Sequence, residues 1–153
     1  MRLRSARCLG HTRAMPIRLT VDHPGRNARA VCNGTVSRED VENYFDAVSV
    51  AGAGPYPKLF DMADADFAIT DTDMLLVAAR IRAYAQVSAQ SGGEPIGPVA
   101  IVAVSQKGFE QAELFAVLAT ADRPLLVFRT LAEAEQWLTS APGGRPAESR
   151  TRP

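Results

Sequence analysis

The sequence has few of the residues that make bonds or cross-links. Its 153 residues include two cysteines and two histidines. Cys8 and Cys32 are too few for a disulfide scaffold and fit a reducing compartment, so we expect a cytoplasmic protein. Because histidine is the usual base of a nucleophilic triad, having only His11 and His23 argues against that chemistry. No apolar run approaches the roughly 20 residues that span a bilayer, which excludes an integral membrane protein.

Phosphate-binding loops and metal-ligand pairs are missing from the sequence as well. The Gly92-Gly93 pair and Gly108 do not have the spacing of a dinucleotide-binding or nucleoside-triphosphate loop. Cys8 and His11 are spaced like half of a metal site, but no second pair completes it. We therefore expect neither a cofactor nor a bound metal.

The net charge is zero, but the charges are unevenly distributed. Residues 1–14 carry +4, residues 141–153 carry +2 and residues 15–140 carry −6. An acidic body does not neutralise phosphates, so we expect no nucleic-acid partner. Residues 1–14 lack the apolar core of a secretory signal, and we interpret them as a disordered leader before a natural start at Met15. The Pro-, Gly- and Arg-rich residues 141–153 predict a disordered tail, which leaves one domain over residues 15–140.

Between these ends, hydrophobic periodicity predicts an α/β domain. Alternation indicates strands over 17–21 and 28–36, joined as an antiparallel hairpin. The elements that follow are a helix opened by Ser37, a strand over 58–62, a helix over about 70–88, a strand over 98–104, a helix over 109–121, a strand over 124–128 and a helix opened by Thr130. Hydroxyl–acid pairs that predict helix caps occur at Ser37/Asp40, Thr70/Asp73 and Thr130/Glu133. Because right-handed crossovers join parallel strands, the predicted fold is a five-stranded mixed sheet with four helices in the order ββαβαβαβα.

The densest polar feature is a group of acids between the predicted third strand and second helix. Its members are Asp61, Asp64, Asp66, Asp71 and Asp73. We expect this loop to lie beyond the carboxyl ends of the strands, where open α/β sheets bind ligands, and its oxygens could hold Mg²⁺ or Ca²⁺. The loop lacks the glycine and terminal glutamate of a calcium-binding loop, and acids at a helix N-terminus also oppose the helix dipole. We favour this structural interpretation over a metal site.

Three phrases of the chain, in this order, resemble the SpoIIAA-like (STAS-like) proteins, in particular their small bacterial branch. They are PYPKLFD at 55–61, GPVAIVA at 97–103 and VFRTLAEAEQWL at 127–138, and the resemblance covers about residues 15–140. It implies a single STAS-like domain that is not an enzyme. STAS relatives act in anti-sigma-factor partner switching or as cytoplasmic modules on anion transporters.

The resemblance also implies a regulatory position at the start of the second helix. In switching members, a partner kinase phosphorylates a serine or threonine there, in a motif that usually ends in glycine. The matching residues here are Thr70, Asp71, Thr72 and Asp73, with no glycine and with acids beside both hydroxyls. Phosphate is favoured at a helix N-terminus, but these carboxylates oppose it. We therefore interpret the segment as a helix cap first and as a phosphorylation site second, and we add Asp61 to the candidate partner-binding residues.

Three functional hypotheses follow. The leading one is a regulatory or protein-interaction module that docks through the second helix and the loop before it onto an unknown protein, such as a regulatory kinase or an anti-sigma-type factor. The second is a carrier of a small apolar ligand or lipid, since the second and third helices are rich in Ala and Leu and could part slightly. The third is a metal-dependent enzyme that uses Asp61, Asp64 and Asp66. An edge strand could also pair two copies into a homodimer.

Overall fold

The structure of the protein is a computed structural model that describes residues 15–119 and 123–140. The predicted leader, the predicted tail and the Cys8/His11 pair lie outside the described residues. In chain order the elements are β1 (Ile17–Asp22), β2 (Asn27–Val36), α1 (Arg38–Val50), β3 (Lys58–Phe67), α2 (Asp71–Gln90), β4 (Val99–Val102), α3 (Gln106–Leu118), β5 (Leu125–Phe128) and α4 (Leu131–Ser140). The predicted element order is confirmed.

The predicted hydroxyl–acid pairs begin the helices. At α1, the Asp40 amide donates to the Ser37 hydroxyl over 3.2 Å, and the Ser37 amide donates back to the Asp40 carboxylate over 2.9 Å. Thr70 and Asp73 exchange the same two bonds at the start of α2. At α4, the Glu133 amide donates to the Thr130 hydroxyl over 3.2 Å. These bonds satisfy amides that a helix start otherwise leaves without a partner.

The strand order across the sheet is the same as the order along the chain, β1-β2-β3-β4-β5. The β1–β2 pair is antiparallel and the other three pairs are parallel, as predicted. The three crossovers all advance across the sheet in one direction, so their right-handedness places α1, α2 and α3 on the same face. Helix α4 covers the other face, and β1 and β5 form the two edges of the sheet.

Each face has its own core. The larger core lies under α1, α2 and α3, and it contains Cys32, which is 1% exposed as expected for a small core residue. The smaller core lies under α4, where Leu59, Ala100, Val102 and Ala134 are buried and Phe128, Trp137 and Leu138 pack against them. Within the described residues, no helix is both long and apolar enough to cross a bilayer.

Two predicted boundaries are wrong. The third strand does not end at residue 62 but continues to Phe67, so Asp61, Asp64 and Asp66 lie in a strand rather than in a loop. The extension pairs with β2 beyond a bulge, and its exposed aspartates alternate with the inward-facing Ala65 and Phe67. Aspartate has a low strand propensity, so the local sequence does not indicate that the strand continues here.

Helix α3 begins at Gln106 instead of residue 109, because Ser105 caps it by accepting the Gly108 amide over 3.0 Å. The helix ends at Leu118. The last residues predicted for it fall partly outside the described chain.

Candidate functional site

The predicted acidic group does not form a cluster. Asp61 accepts the Ala63 amide over 3.0 Å, at the bulge in β3. Asp66 is paired with Lys107 of α3 at 3.0 Å, and Asp64 is exposed. Over residues 15–119 and 123–140, no three His, Cys, Asp or Glu side chains come together in an arrangement that could hold a metal ion. The acids therefore have separate surroundings, and Asp61 and Asp66 contact different partners.

The predicted switch segment forms the first turn of α2. Thr70 and Asp73 are occupied with each other in the helix cap, and Asp73 also lies 3.4 Å from the guanidinium of Arg38 in α1. Asp71 and Thr72 are exposed. The Thr72 hydroxyl is thus accessible on the surface, between two carboxylates, and its role as a phosphorylation site stays a prediction.

A cavity, which the sequence did not predict, lies between the sheet and the three helices of its larger face. It has a volume of about 210 Å³, and we call it the helix-side cavity. Aromatic rings form one wall: the Tyr44 and Phe60 centroids are 5.2 Å apart, and those of Phe60 and Phe67 are 6.1 Å apart. Its other apolar lining residues include Val41, Met62, Met74, Val77, Ile81, Ile101, Ala112 and Phe115.

Two cationic side chains lie against this apolar cavity. Lys58 is 5% exposed and Arg123 is 7% exposed, and both line the cavity. The Lys58 ammonium donates to the carbonyl oxygens of Gly54, at 2.6 Å, and Tyr56, at 2.8 Å. In contrast, Nε and Nη1 of Arg123 are buried and find no hydrogen-bond acceptor in the described part of the chain. Buried donors of a charged group are costly to leave unpaired.

The two cations come together because of strand register. Lys58 is the first residue of β3 and pairs with Val99 of β4, which in turn pairs with Leu125 of β5. Arg123 lies two residues before Leu125, so both cations are at the amino ends of the parallel strands. The predicted site lay at the opposite, carboxyl ends. The cationic end of the cavity is therefore not at the usual ligand crevice of an open α/β sheet.

Burial and mutual repulsion change the titration of these groups. Burial, followed by the nearby charge of Arg123, lowers the pKa of Lys58 to about 7. Burial also lowers the pKa of Arg123 to about 10, although Tyr44 opposes this shift. The pKa of Tyr44 is raised, first by burial and then by Cys32, with Arg123 acting in the other direction. Among the residues that the structure describes, no carboxylate compensates the charge of either cation.

A carboxylate that lines the cavity, that of Asp46, is paired with an arginine of α2 instead of with Lys58 or Arg123. Asp46 of α1 forms an exposed ion pair with Arg80 of α2, which also contacts the Glu42 carbonyl oxygen over 3.4 Å. Asp46 and Ser49 of α1 and Arg80 and Tyr84 of α2 line the cavity and are exposed to solvent. The cavity therefore has a polar mouth between α1 and α2, apolar walls, and a buried cationic end.

The sequence carried a weak signal for the cationic end. Lys58 directly precedes the apolar Leu59 and Phe60, and Arg123 directly precedes the last apolar strand. A charged residue next to a buried strand is most often exposed to solvent. The local sequence therefore does not predict that Lys58 and Arg123 are buried.

Comparison with known proteins supports the fold assignment. No family model matches the sequence, and no curated protein matches it. Among solved structures, the chain is similar to an uncharacterized protein from the DUF3478 family, from Shewanella loihica PV-4, which has a SpoIIAA-like fold. The TM-score is 0.51 at 15% sequence identity, and the match covers 79% of this chain and 90% of that chain. The predicted SpoIIAA-like fold is confirmed, and at this identity the likeness concerns the fold alone.

Proposed function

We propose that this chain is a non-enzymatic binding protein, formed by residues 15–140, whose ligand is a small and largely apolar molecule held in the helix-side cavity. The observation that carries the proposal is the cavity of about 210 Å³ between the sheet and α1, α2 and α3. The carrier hypothesis requires α2 and α3 to part slightly. A cavity between these helices and the sheet is consistent with that requirement.

The volume supports occupancy by a ligand. Protein interiors are close-packed and rarely contain voids larger than a water molecule. The apolar walls of this space have no packing partners on their inner side and are accessible to water through its mouth. An apolar cavity of about 150 Å³ binds benzene, so this one has room for about eight non-hydrogen atoms. A ligand of that size would restore the lost packing.

The surroundings of the reactive side chains favour binding over catalysis. His23 is bonded to the Tyr56 hydroxyl over 2.8 Å, in the β1–β2 turn, and neither residue lines the cavity. Burial, followed by the charge of Asp61, raises the pKa of Cys32 to about 12, so its thiol stays protonated and unreactive near neutral pH.

Native mass spectrometry of freshly purified protein tests the proposal. We expect an adduct on the wild-type protein, which is lost in Ala112→Leu because the added side chain fills the cavity. Ala116→Leu is the matched control, since Ala116 lies on the same helix but does not line the cavity. A wild-type protein that carries no adduct and gains no thermal stability from a panel of apolar ligands would contradict the proposal.

A second candidate function is the regulatory or protein-interaction module, and exposed apolar residues on α2 favour it. Leu75 is 52% exposed and Leu76 is 49% exposed. They lie three and four residues after Thr72, so all three share one face of the helix. A phosphate on Thr72 would add charge to this face and weaken apolar docking on it.

Binding to a candidate partner, such as a regulatory kinase, tests this second function. We expect Leu75→Ser/Leu76→Ser to abolish binding and Val117→Ser to leave it unchanged, because Val117 is exposed on α3 instead. Equal binding by both variants would show that α2 is not the docking surface.

A further inference from the structure

We infer that the ligand of the helix-side cavity is an amphipathic monocarboxylate, whose carboxylate binds Lys58 and Arg123 while its apolar part packs against the aromatic wall. This inference rests on the proposed function and names the chemical class of its ligand. The cavity lining is mostly apolar, but two buried cationic side chains, Lys58 and Arg123, lie at one end of it.

The unpaired donors of Arg123 point to an anion. Its Nε and Nη1 are buried without an acceptor in the described residues, while the side chain lines the cavity. A buried charge of this kind costs several kcal/mol unless an opposite charge and hydrogen bonds compensate it. Since the six ion pairs among the described residues involve neither Lys58 nor Arg123, an external anion is the natural partner.

The free hydrogen-bond donors at this end of the cavity fit the two oxygens of a carboxylate. Arg123 is protonated at neutral pH, and a bound anion would also favour the charged form of Lys58, whose pKa is about 7 in the empty cavity. The donors left for the ligand are the unpaired Nε and Nη1 of Arg123 and the remaining hydrogen of Lys58. Two of the Lys58 hydrogens are already given to the Gly54 and Tyr56 carbonyl oxygens, which leaves one for the ligand.

The alternating side chains of β3 indicate where the apolar part of the ligand would lie. Lys58, Phe60 and Met62 all face the helix-side cavity, because alternate residues of a strand point to the same side of the sheet. A ligand with its carboxylate at Lys58 therefore extends along Phe60 and Met62. The cavity accommodates an alkyl chain of about six carbons or a single aromatic ring.

Calorimetric titration with hexanoate and 1-hexanol tests the inference, because the two probes share a chain length that the cavity can hold and differ in the charged group. Protein stripped of ligand by unfolding and refolding should bind hexanoate at least about tenfold more tightly than 1-hexanol, as expected for hydrogen bonds to a charged group. Arg123→Met and Lys58→Met should each reduce this preference and leave 1-hexanol binding intact. Arg18→Met is the control, since Arg18 is exposed on β1 and outside the cavity, and it should keep the full preference.

The possible failures are distinguishable. If neither probe binds, the proposed function itself fails. If the wild-type protein binds both probes equally, the cavity binds apolar ligands but the inference is wrong. Tighter binding of propyl phosphate, which also has eight non-hydrogen atoms, than of hexanoate would also overturn it, in favour of a dianion. Should Arg123→Met fail to fold, the wild-type comparison and the Lys58→Met variant still decide the question.

Discussion

The buried position of Lys58 predicts that the ligand-free protein becomes more stable as the pH rises above 7. Its pKa is lowered from 10.5 to about 7 in the folded protein, chiefly by burial. In the unfolded chain the amine regains its ordinary pKa, so between these two values the unfolded state binds more protons than the folded state. The free energy of unfolding therefore increases with pH across this window.

The size of the effect follows from the two pKa values. Over the whole window the gain approaches about 5 kcal/mol, at about 1.4 kcal/mol for each pH unit. Between pH 7 and 9 it is about 2 kcal/mol, because Lys58 is half protonated in the folded protein at the lower pH. Cys32 opposes this gain, because its pKa is raised from 9.0 to about 12 in the folded protein and its thiol ionises first in the unfolded chain; the loss is about 0.4 kcal/mol between pH 7 and 9. Arg123 and Tyr44 contribute little in this range, since the pKa of Arg123 stays near 10 and that of Tyr44 is raised above its ordinary value of 10.0.

Urea unfolding of ligand-free protein at pH 7, 8 and 9 measures how the free energy of unfolding changes with pH. We expect Lys58→Met to remove it and to be more stable than the wild-type protein at pH 7, provided that its loss of the Gly54 and Tyr56 hydrogen bonds is the smaller effect. Lys107→Met is the matched control, because Lys107 is exposed and paired with Asp66 at the surface. A wild-type stability that is flat or falls between pH 7 and 9, or a slope that survives in Lys58→Met, would refute the reasoning.

Three further predictions concern the fold. The Cys32 thiol is buried and its pKa is raised to about 12, so in a Cys8→Ser variant an alkylating reagent at pH 8 should modify it only after unfolding; rapid labelling of this variant in its native state, located at Cys32 by peptide mass spectrometry, would contradict its position in the core. Thr70→Ala should lower the free energy of unfolding by about 1 kcal/mol and Thr70→Ser by much less, because the hydroxyl caps α2; equal losses in urea titrations would argue against the cap. Leu59→Ala should cost roughly 2–5 kcal/mol, since Leu59 is 2% exposed under α4, and a loss near zero would mean that α4 does not cover this face.

The parts of the fold that depend on local patterns were predictable from the sequence. The caps at Ser37 and Thr70 need only residues within one turn. The helical period predicts an apolar stripe on α2, of which Met74, Val77, Ala78 and Ile81 are buried and Ala85 is half-buried. The order of strands and helices then left few topologies consistent with right-handed crossovers.

The candidate site was not predictable in the same way. The last half of β3 carries Asp64 and Asp66, residues with low strand propensity, and it becomes a strand because β2 is long enough to pair with it. The helix-side cavity depends on how closely the three helices pack against the sheet. The hydrophobic periodicity of a single helix does not indicate this distance. Its cationic end joins Lys58 and Arg123 from distant parts of the chain, and only strand register brings them to the same edge.

The sequential strand order has a consequence for how the protein assembles. Each strand pairs with the one made just before it, so the growing sheet can add strands one after another as the chain leaves the ribosome. The pair of cations is different, because Arg123 is contributed just before the last strand, β5. A nascent chain can therefore build most of its framework early, but it gains the capacity to hold an anion only when synthesis is nearly finished.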